Sequence, residues 1–190
     1  EERQVTVDGV TRQMPKPFFV LATQNPIEFE GTYPLPESQL DRFLLRQSLG
    51  YPAREQEREI VVRQKMVNPL DVLKPVTNAS EFLAMQEAIK QVLVSDAALD
   101  YLLNVVEATR SHNDLYLGAS PRGSLALYRT AQALAVVGGQ DYVLPDHIKR
   151  LAAQVLGHRV IVRPEARISG VTSDDVIAEI LESVPVDVAA

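Results

Sequence analysis

No cysteine occurs among the 190 residues, so neither a disulfide framework nor a thiolate nucleophile is available. That fits a cytosolic, cytoplasmic protein. No apolar run approaches 18 residues, which leaves no candidate membrane-spanning helix, and the opening Glu-Glu-Arg does not resemble a signal peptide. Nowhere does lysine follow glycine, so there is no GxxxxGK[ST] phosphate loop, and no apolar strand ends in Asp-Glu. A phosphate cradle and a magnesium-holding acid are therefore both missing. His112, His147 and His158 stand apart, without metal-ligand spacing, and no metal site is expected. No Ser/His/Asp or Cys/His set is signalled either. By itself the chain carries no self-sufficient active site.

What is present is an ordinary globular composition, 46% hydrophobic and 23% charged, long enough for one large domain or two small ones. The net charge of −6 (19 basic, 25 acidic) argues against binding dominated by nucleic-acid phosphates. Charge is uneven along the chain. Lys149, Arg150, Arg159, Arg163 and Arg167 gather late, and five acids follow from Asp174 with no base among them. Two solvated patches would explain this, as would opposite-sign surfaces meeting between subunits.

The most informative stretch is 18–45, FFVLATQNPIEFEGTYPLPESQLDRFLL. Residues 18–23 read as a strand buried on both faces, and Pro26 forbids its continuation. Asn25 then falls just past a strand's carboxyl end, where open α/β sheets place ligand chemistry. A proline-rich loop leads to a short helical stretch at 37–43. Upstream, Val5, Val7 and Val10 flank Asp8-Gly9, a two-residue hairpin signal. Downstream, 44–51 reads as a second, half-buried strand, and Tyr51-Pro52 marks a boundary.

Beyond it the pattern is helical. A charged helix spans 55–66 with Glu55–Arg58 and Glu59–Arg63 pairs, a loop with two prolines covers 67–76, and a helix at 80–94 points Phe82, Leu83, Met85, Ile89 and Val92 inward. Ser95 caps a third helix with a stripe of Leu99, Leu102, Leu103 and Val106. Ser120 and Pro121 start a fourth, which stops at Gly138-Gly139. Pro145 starts a fifth with Ile148, Leu151, Ala152 and Val155 inward. Thr172-Ser173-Asp174-Asp175 forms a capping box for a closing helix through Leu181.

ATQNPIEFEGTYPLPESQLDRFLL resembles the sensor-1 to arginine-finger segment of the MoxR family of AAA+ ATPases. EERQVTVDG (1–9) is similar to the segment after that family's Walker B helix, GASPR (118–122) to its sensor 2, and YVLPDHIKRLAAQVLGHR (142–159) to its lid. The resemblance covers nearly the whole chain. It implies an α+β fold: residues 1–52 as the carboxyl-terminal strands of an AAA+ α/β core, and 53–190 as an all-helical lid.

It also implies roles. Asn25 becomes sensor 1, its amide orienting a water beside the γ-phosphate, where the residues alone equally allow an Asx-turn before Pro26. Arg42 becomes an arginine finger acting in trans; alternatives are a surface pair with Asp41, or Arg46 in the finger's place. Arg122 becomes sensor 2. It lies in a helix's first turn, where the macrodipole disfavours a cation unless an anion docks there too, and Gly118 and Gly123 would keep that approach open. The family hydrolyses ATP with Mg²⁺ in hexameric rings as chaperone-like motors, often with von Willebrand factor A-domain partners. Both ATP and Mg²⁺ would be held mainly by residues outside this chain. Two other classes stay open: an ATP-independent helical interaction module, and an MCM-like nucleic-acid motor fragment, the latter disfavoured because the 5–13 hairpin sets only Arg12 against Asp8.

Overall fold

The computed structural model describes residues 3–24, 35–65 and 68–186. Strands β1 (Gln4–Val7) and β2 (Val10–Gln13) pair antiparallel with Val7 opposite Val10. Asp8 and Gly9 both take positive φ, 52° and 76°, the geometry that the right-handed twist of a two-residue hairpin requires. A short helix α1 (Glu37–Leu40) comes next, then α2 (Arg54–Gln64), a 3₁₀ turn at Pro69–Val72 capped by Asn68, and α3 (Ala79–Ile89) capped by Asn78. The remaining elements are α4 (Asp96–Ser111), β3 (Leu115–Leu117), α5 (Pro121–Val137), α6 (Pro145–Leu156), β4 (Ile161–Val162), α7 (Pro164–Ile168) and α8 (Ser173–Ser183).

The core lies within residues 92–180. Helix α5 packs on α4 and α6, and α8 closes against α4 and α6. Apolar spacing explains why. On α4 the buried stripe is Ala98, Tyr101, Leu102, Val105, Val106 and Thr109, one helical face. That corrects the expected stripe, since Leu103 is exposed and Leu99 only half-buried. The caps act as expected. Ser95 Oγ accepts from Ala98 N at 3.2 Å, while Thr172 and Asp175 form the reciprocal box, at 3.2 and 2.9 Å. Leu144 offers α6 no side-chain cap, and His147 Nδ1 reaches back to accept from Leu144 N instead, at 3.1 Å. Gly139, at φ 74°, ends α5 in the left-handed conformation.

Other expectations are corrected as well. Residues 18–23 are not a buried strand: they carry no ladder, and Leu21 is 93% exposed. Among the described residues no strand lies beside them, and an apolar run without a partner strand has nothing to pair with. Among the described residues an edge-to-face pair of Phe19 and Phe82, centroids 5.0 Å apart, ties the segment to α3. Residues 44–51 likewise form no strand; the Arg46 amide bonds to Gln154 O on α6 at 2.9 Å rather than to a sheet. Nor is the region after residue 52 purely helical, because β3 and β4 form a small antiparallel ribbon that ties α4 to the turn before α7. On α3, Met85 faces out and Val92 joins the core from beyond the helix end.

Helix α2 stands apart from that core. All its residues are exposed, and its Glu59–Arg63 pair, 2.5 Å apart, sits in solvent where such pairs contribute little. We therefore expect Ile177→Ala, at a fully buried position, to destabilise the protein by about 2–5 kcal/mol. Ile60→Ala, at a position 52% exposed, should change stability by less than about 0.5 kcal/mol. Urea titrations followed by circular dichroism compare the two. Equal losses would place α2 in the same cooperative core.

Candidate functional site

The α4–β3–α5 connection holds one half of the site. Thr109, fully buried, donates to Val106 O at 2.6 Å and accepts from Ala119 N at 2.9 Å, while Arg110 Nε donates to Ala119 O at 3.0 Å. These bonds pin the loop just before Ser120. Ser120 Oγ then caps α5 by accepting from Arg122 N at 3.2 Å. Gly118 is demanded by packing: a Cβ there would lie 2.6 Å from the Arg110 backbone. At Gly123 a Cβ would crowd Ala119 at 3.1 Å and Leu156 at 3.2 Å, with the Arg159 stem at 3.5 Å. Both glycines serve close packing within the protein, not an open approach for a ligand.

The turn after α1 supplies the other half. Arg42 N bonds to Gln39 O and Phe43 N to Leu40 O, so 39–43 is a tight turn with backbone carbonyls facing the α6 end. Arg159 receives them. Its side chain is 3% exposed, and its guanidinium donates to Leu44 O (3.2 Å), Asp41 O (3.2 Å), Phe43 O (2.5 Å) and, within its own helix end, Val155 O. Nε stands 3.2 Å from Asp41 Oδ1 but poorly aligned for a hydrogen bond, so that attraction is chiefly coulombic. Burial pulls the guanidinium pKa down from its ordinary value, while the Asp41 carboxylate opposes that pull. Arginine stays charged under either influence.

Asp41 is the junction. Besides Arg159, its carboxylate meets Ser120 Oγ at 3.3 Å and Arg122 Nη1 at 3.7 Å. A carboxylate thus stands beside the α5 N-terminus, supplied by the chain itself. Arg122 is on the surface side of this junction, its side chain 46% exposed. Arg42 is carried on the turn that Arg159 grips, and Arg46 pairs instead with Asp174 at 3.3 Å. Asn25 lies outside the described residues. A cleft of about 990 Å³ opens alongside, lined by Asp41, Arg46, Arg110, Ser120, His158 and Arg167 among others. No cluster of three or more His, Asp or Glu side chains that could hold a metal gathers among the described residues.

The family-model comparison places residues 107–180 in the AAA lid domain and residues 1–45 in the ATPase family associated with various cellular activities (AAA). The chain is 45% identical over 188 residues to the uncharacterised protein YeaC of Bacillus subtilis, covering 99% of this chain and 59% of that one. To chaperone MoxR1 of Mycobacterium tuberculosis it is 40% identical over 193 residues, covering 97% of this chain and 51% of the relative. A crystal structure described as a candidate ATPase from Cytophaga hutchinsonii superimposes with a TM-score of 0.90 at 36% identity, over 97% of this chain and 59% of that one. Over nearly its whole length the chain matches MoxR-type AAA+ ATPases, as a fragment of one. It spans little more than half the length of the curated relatives it matches. Its fold is an AAA+ fragment with a helical lid, and the MoxR-type lid accounts for the packed core described above.

Sequence reasoning misses two members of the site. In sequence Asp41 is only a neighbour for Arg42, and Arg159 is one of several late bases suited to a solvated patch, which its burial contradicts. A signal for Arg159 exists: Ile148, Ala152 and Val155 form the buried stripe of α6, and Arg159 repeats that spacing just past the helix end. An arginine at a stripe position needs an acceptor set.

His158 beside it is nearly buried, with Nε2 3.0 Å from Phe43 O and Nδ1 without a partner among the described residues. A carbonyl accepts, so Nε2 carries the proton and Nδ1 does not. Burial lowers the His158 pKa below its ordinary value of 6.5, with the nearby Arg159 and Arg46 adding to the effect. The neutral ring's contribution to stability is whole above about pH 6.5 and is lost as pH falls through the lowered folded-state value. Melting temperature should drop between about pH 7 and pH 5, and His158→Gln should flatten that slope. An unchanged slope in thermal scans of the variant would show that His158 does not titrate with unfolding.

Proposed function

We propose that this chain supplies the sensing and transmitting half of a MoxR-type ATPase that couples ATP hydrolysis to chaperone-like remodelling of partner proteins. Supporting this reading is one observation: Asp41, next to Arg42, is bonded to the same corner that presents Arg122. Residues 53–190 act as the lid, and residues 1–52 belong to a nucleotide-binding core whose remaining strands would cover the exposed segments 18–24 and 44–51. Asn25 orients the attacking water. Arg122, half-exposed at the start of α5, meets the γ-phosphate, and Arg42 reaches a neighbouring subunit's nucleotide, spreading the charge of the transition state. Bound Mg²⁺ would neutralise phosphate charge, but no acid set among the described residues fits it. Its ligands, like the phosphate cradle, belong outside this chain. A closed, hexameric ring in the cytoplasm, working with a von Willebrand factor A-domain protein, completes the picture.

Two measurements test it. In rings built with a phosphate-binding core, subunits bearing Arg42→Ala, each alone slowed on the order of 10³-fold, should regain hydrolysis when mixed with subunits lacking the core's phosphate lysine. Mixtures that never exceed the sum of the separate variants contradict the trans role. Titration of the 190-residue chain with ATP and Mg²⁺ should give a dissociation constant of about 1 mM or weaker, roughly −4 kcal/mol. Micromolar binding abolished by Arg122→Ala would instead give the lid a nucleotide site of its own.

A further inference from the structure

Arg159 directs most of its guanidinium bonds to the turn that carries Arg42. It donates to three of that turn's carbonyls, those of Asp41, Phe43 and Leu44, and faces the Asp41 carboxylate, all from a side chain 3% exposed. Asp41 in turn touches Ser120 and Arg122 at the α5 N-terminus. A buried guanidinium with this many acceptors is costly to desolvate and fixes geometry firmly once satisfied. Surface attachment needs nothing of the kind. The arrangement suits an element whose position must be reproduced with every movement of the lid.

We propose that Arg159 is the positioning residue of the finger: with Asp41 it locks the 39–44 turn to the lid of its own subunit, so that Arg42 travels with the lid as one body. This rests on the reading of Arg42 as a finger acting in trans. Arg122, at the far side of Asp41, reports on the phosphate in the same subunit. Closure of the lid on one nucleotide therefore moves the guanidinium offered to the next. Arg159 touches neither nucleotide. Its effect passes entirely through the backbone of 41–44 and the Asp41 carboxylate.

Lysine cannot reproduce the fork: it keeps the charge but offers one nitrogen in place of three. Arg159→Lys should therefore lower ATP turnover about 10- to 100-fold, with KM for ATP within about twofold, because a misplacement of about 1 Å costs that much. Subunit mixing locates the defect. It should follow the subunit that donates the finger, as Arg42→Ala does, and be absent when Arg159→Lys sits only in the subunit holding the nucleotide. A defect that follows the nucleotide-holding subunit, or a raised KM with turnover unchanged, overturns the proposal. If Arg42→Ala itself fails to act in trans, the functional reading falls; if it acts and Arg159→Lys does not, only this inference falls.

A second arm needs no ATP. The chain has no native cysteine, so Ser38→Cys on α1 and Arg129→Cys on α5 can be spin-labelled alone. The distance between them should be narrow in the parent and broad in Arg159→Met or Asp41→Asn, while far-ultraviolet circular dichroism of the lid is unchanged. Asp41→Asn serves where Arg159→Met does not fold. A narrow distance in the folded variants refutes the lock.

Discussion

The contact between Arg159 and the 39–44 turn is the constraint on which the two halves of this protein depend. The lid has its own core, built from α4, α5, α6 and α8, and would be a packed object without help from the segments before residue 50. The described residues of those segments, by contrast, contribute nothing to the buried hydrophobic set. What ties them to the lid is largely polar: the guanidinium grip, the Asp41 bonds, the His158–Phe43 contact, the Arg46 amide on Gln154, and the outer Arg46–Asp174 pair. Polar attachment of this sort sets position more strictly than apolar contact, because each donor has a preferred direction. Removing one side-chain partner leaves the other buried and unpaired, so the attachment tolerates little substitution at Arg159 or Asp41.

Around it, small residues make the approach possible. Gly123 lets the Arg159 stem lie against the first turn of α5, and at Gly157 a side chain would strike Asp174, 2.6 Å away. Thr109 and Arg110 hold the 118–120 loop from the opposite side. The corner is thus positioned by rigid helix ends and bonds to them, and not by the loop's own preferences. A site assembled this way keeps its geometry when a single exposed loop changes.

Legibility in the sequence is local. The hairpin at Asp8-Gly9, the caps at Ser95, Ser120 and Thr172, and the stop at Gly138-Gly139 each depend on residues within a few positions, and each stands where local pattern puts it. Segments 18–23 and 44–51 read as strands and are not, because a strand is a property of two segments and composition speaks for one. On α4 the expected stripe follows the leucines, whereas packing selects the face of Ala98, Tyr101 and Val105. The MoxR likeness is legible through its motifs, and with it the neighbourhood of Arg42 and Arg122. Their junction at Asp41 and Arg159 is not, because the pair is separated by 118 positions in the chain and only tertiary packing brings it together.

The grip of Arg159 falls mostly on main-chain oxygens. Carbonyl groups are the same whatever side chain they precede, so the turn's sequence is free to drift while the hold persists. Asp41 is the exception, being held through its carboxylate as well. Leu44 and Phe43 could be replaced without loosening the attachment, and so could Arg42 itself. Natural variation could therefore change the turn's charge, length or reach without loosening the hold on it. The fold separates how the turn is held from which side chains it carries, and leaves the second open to selection.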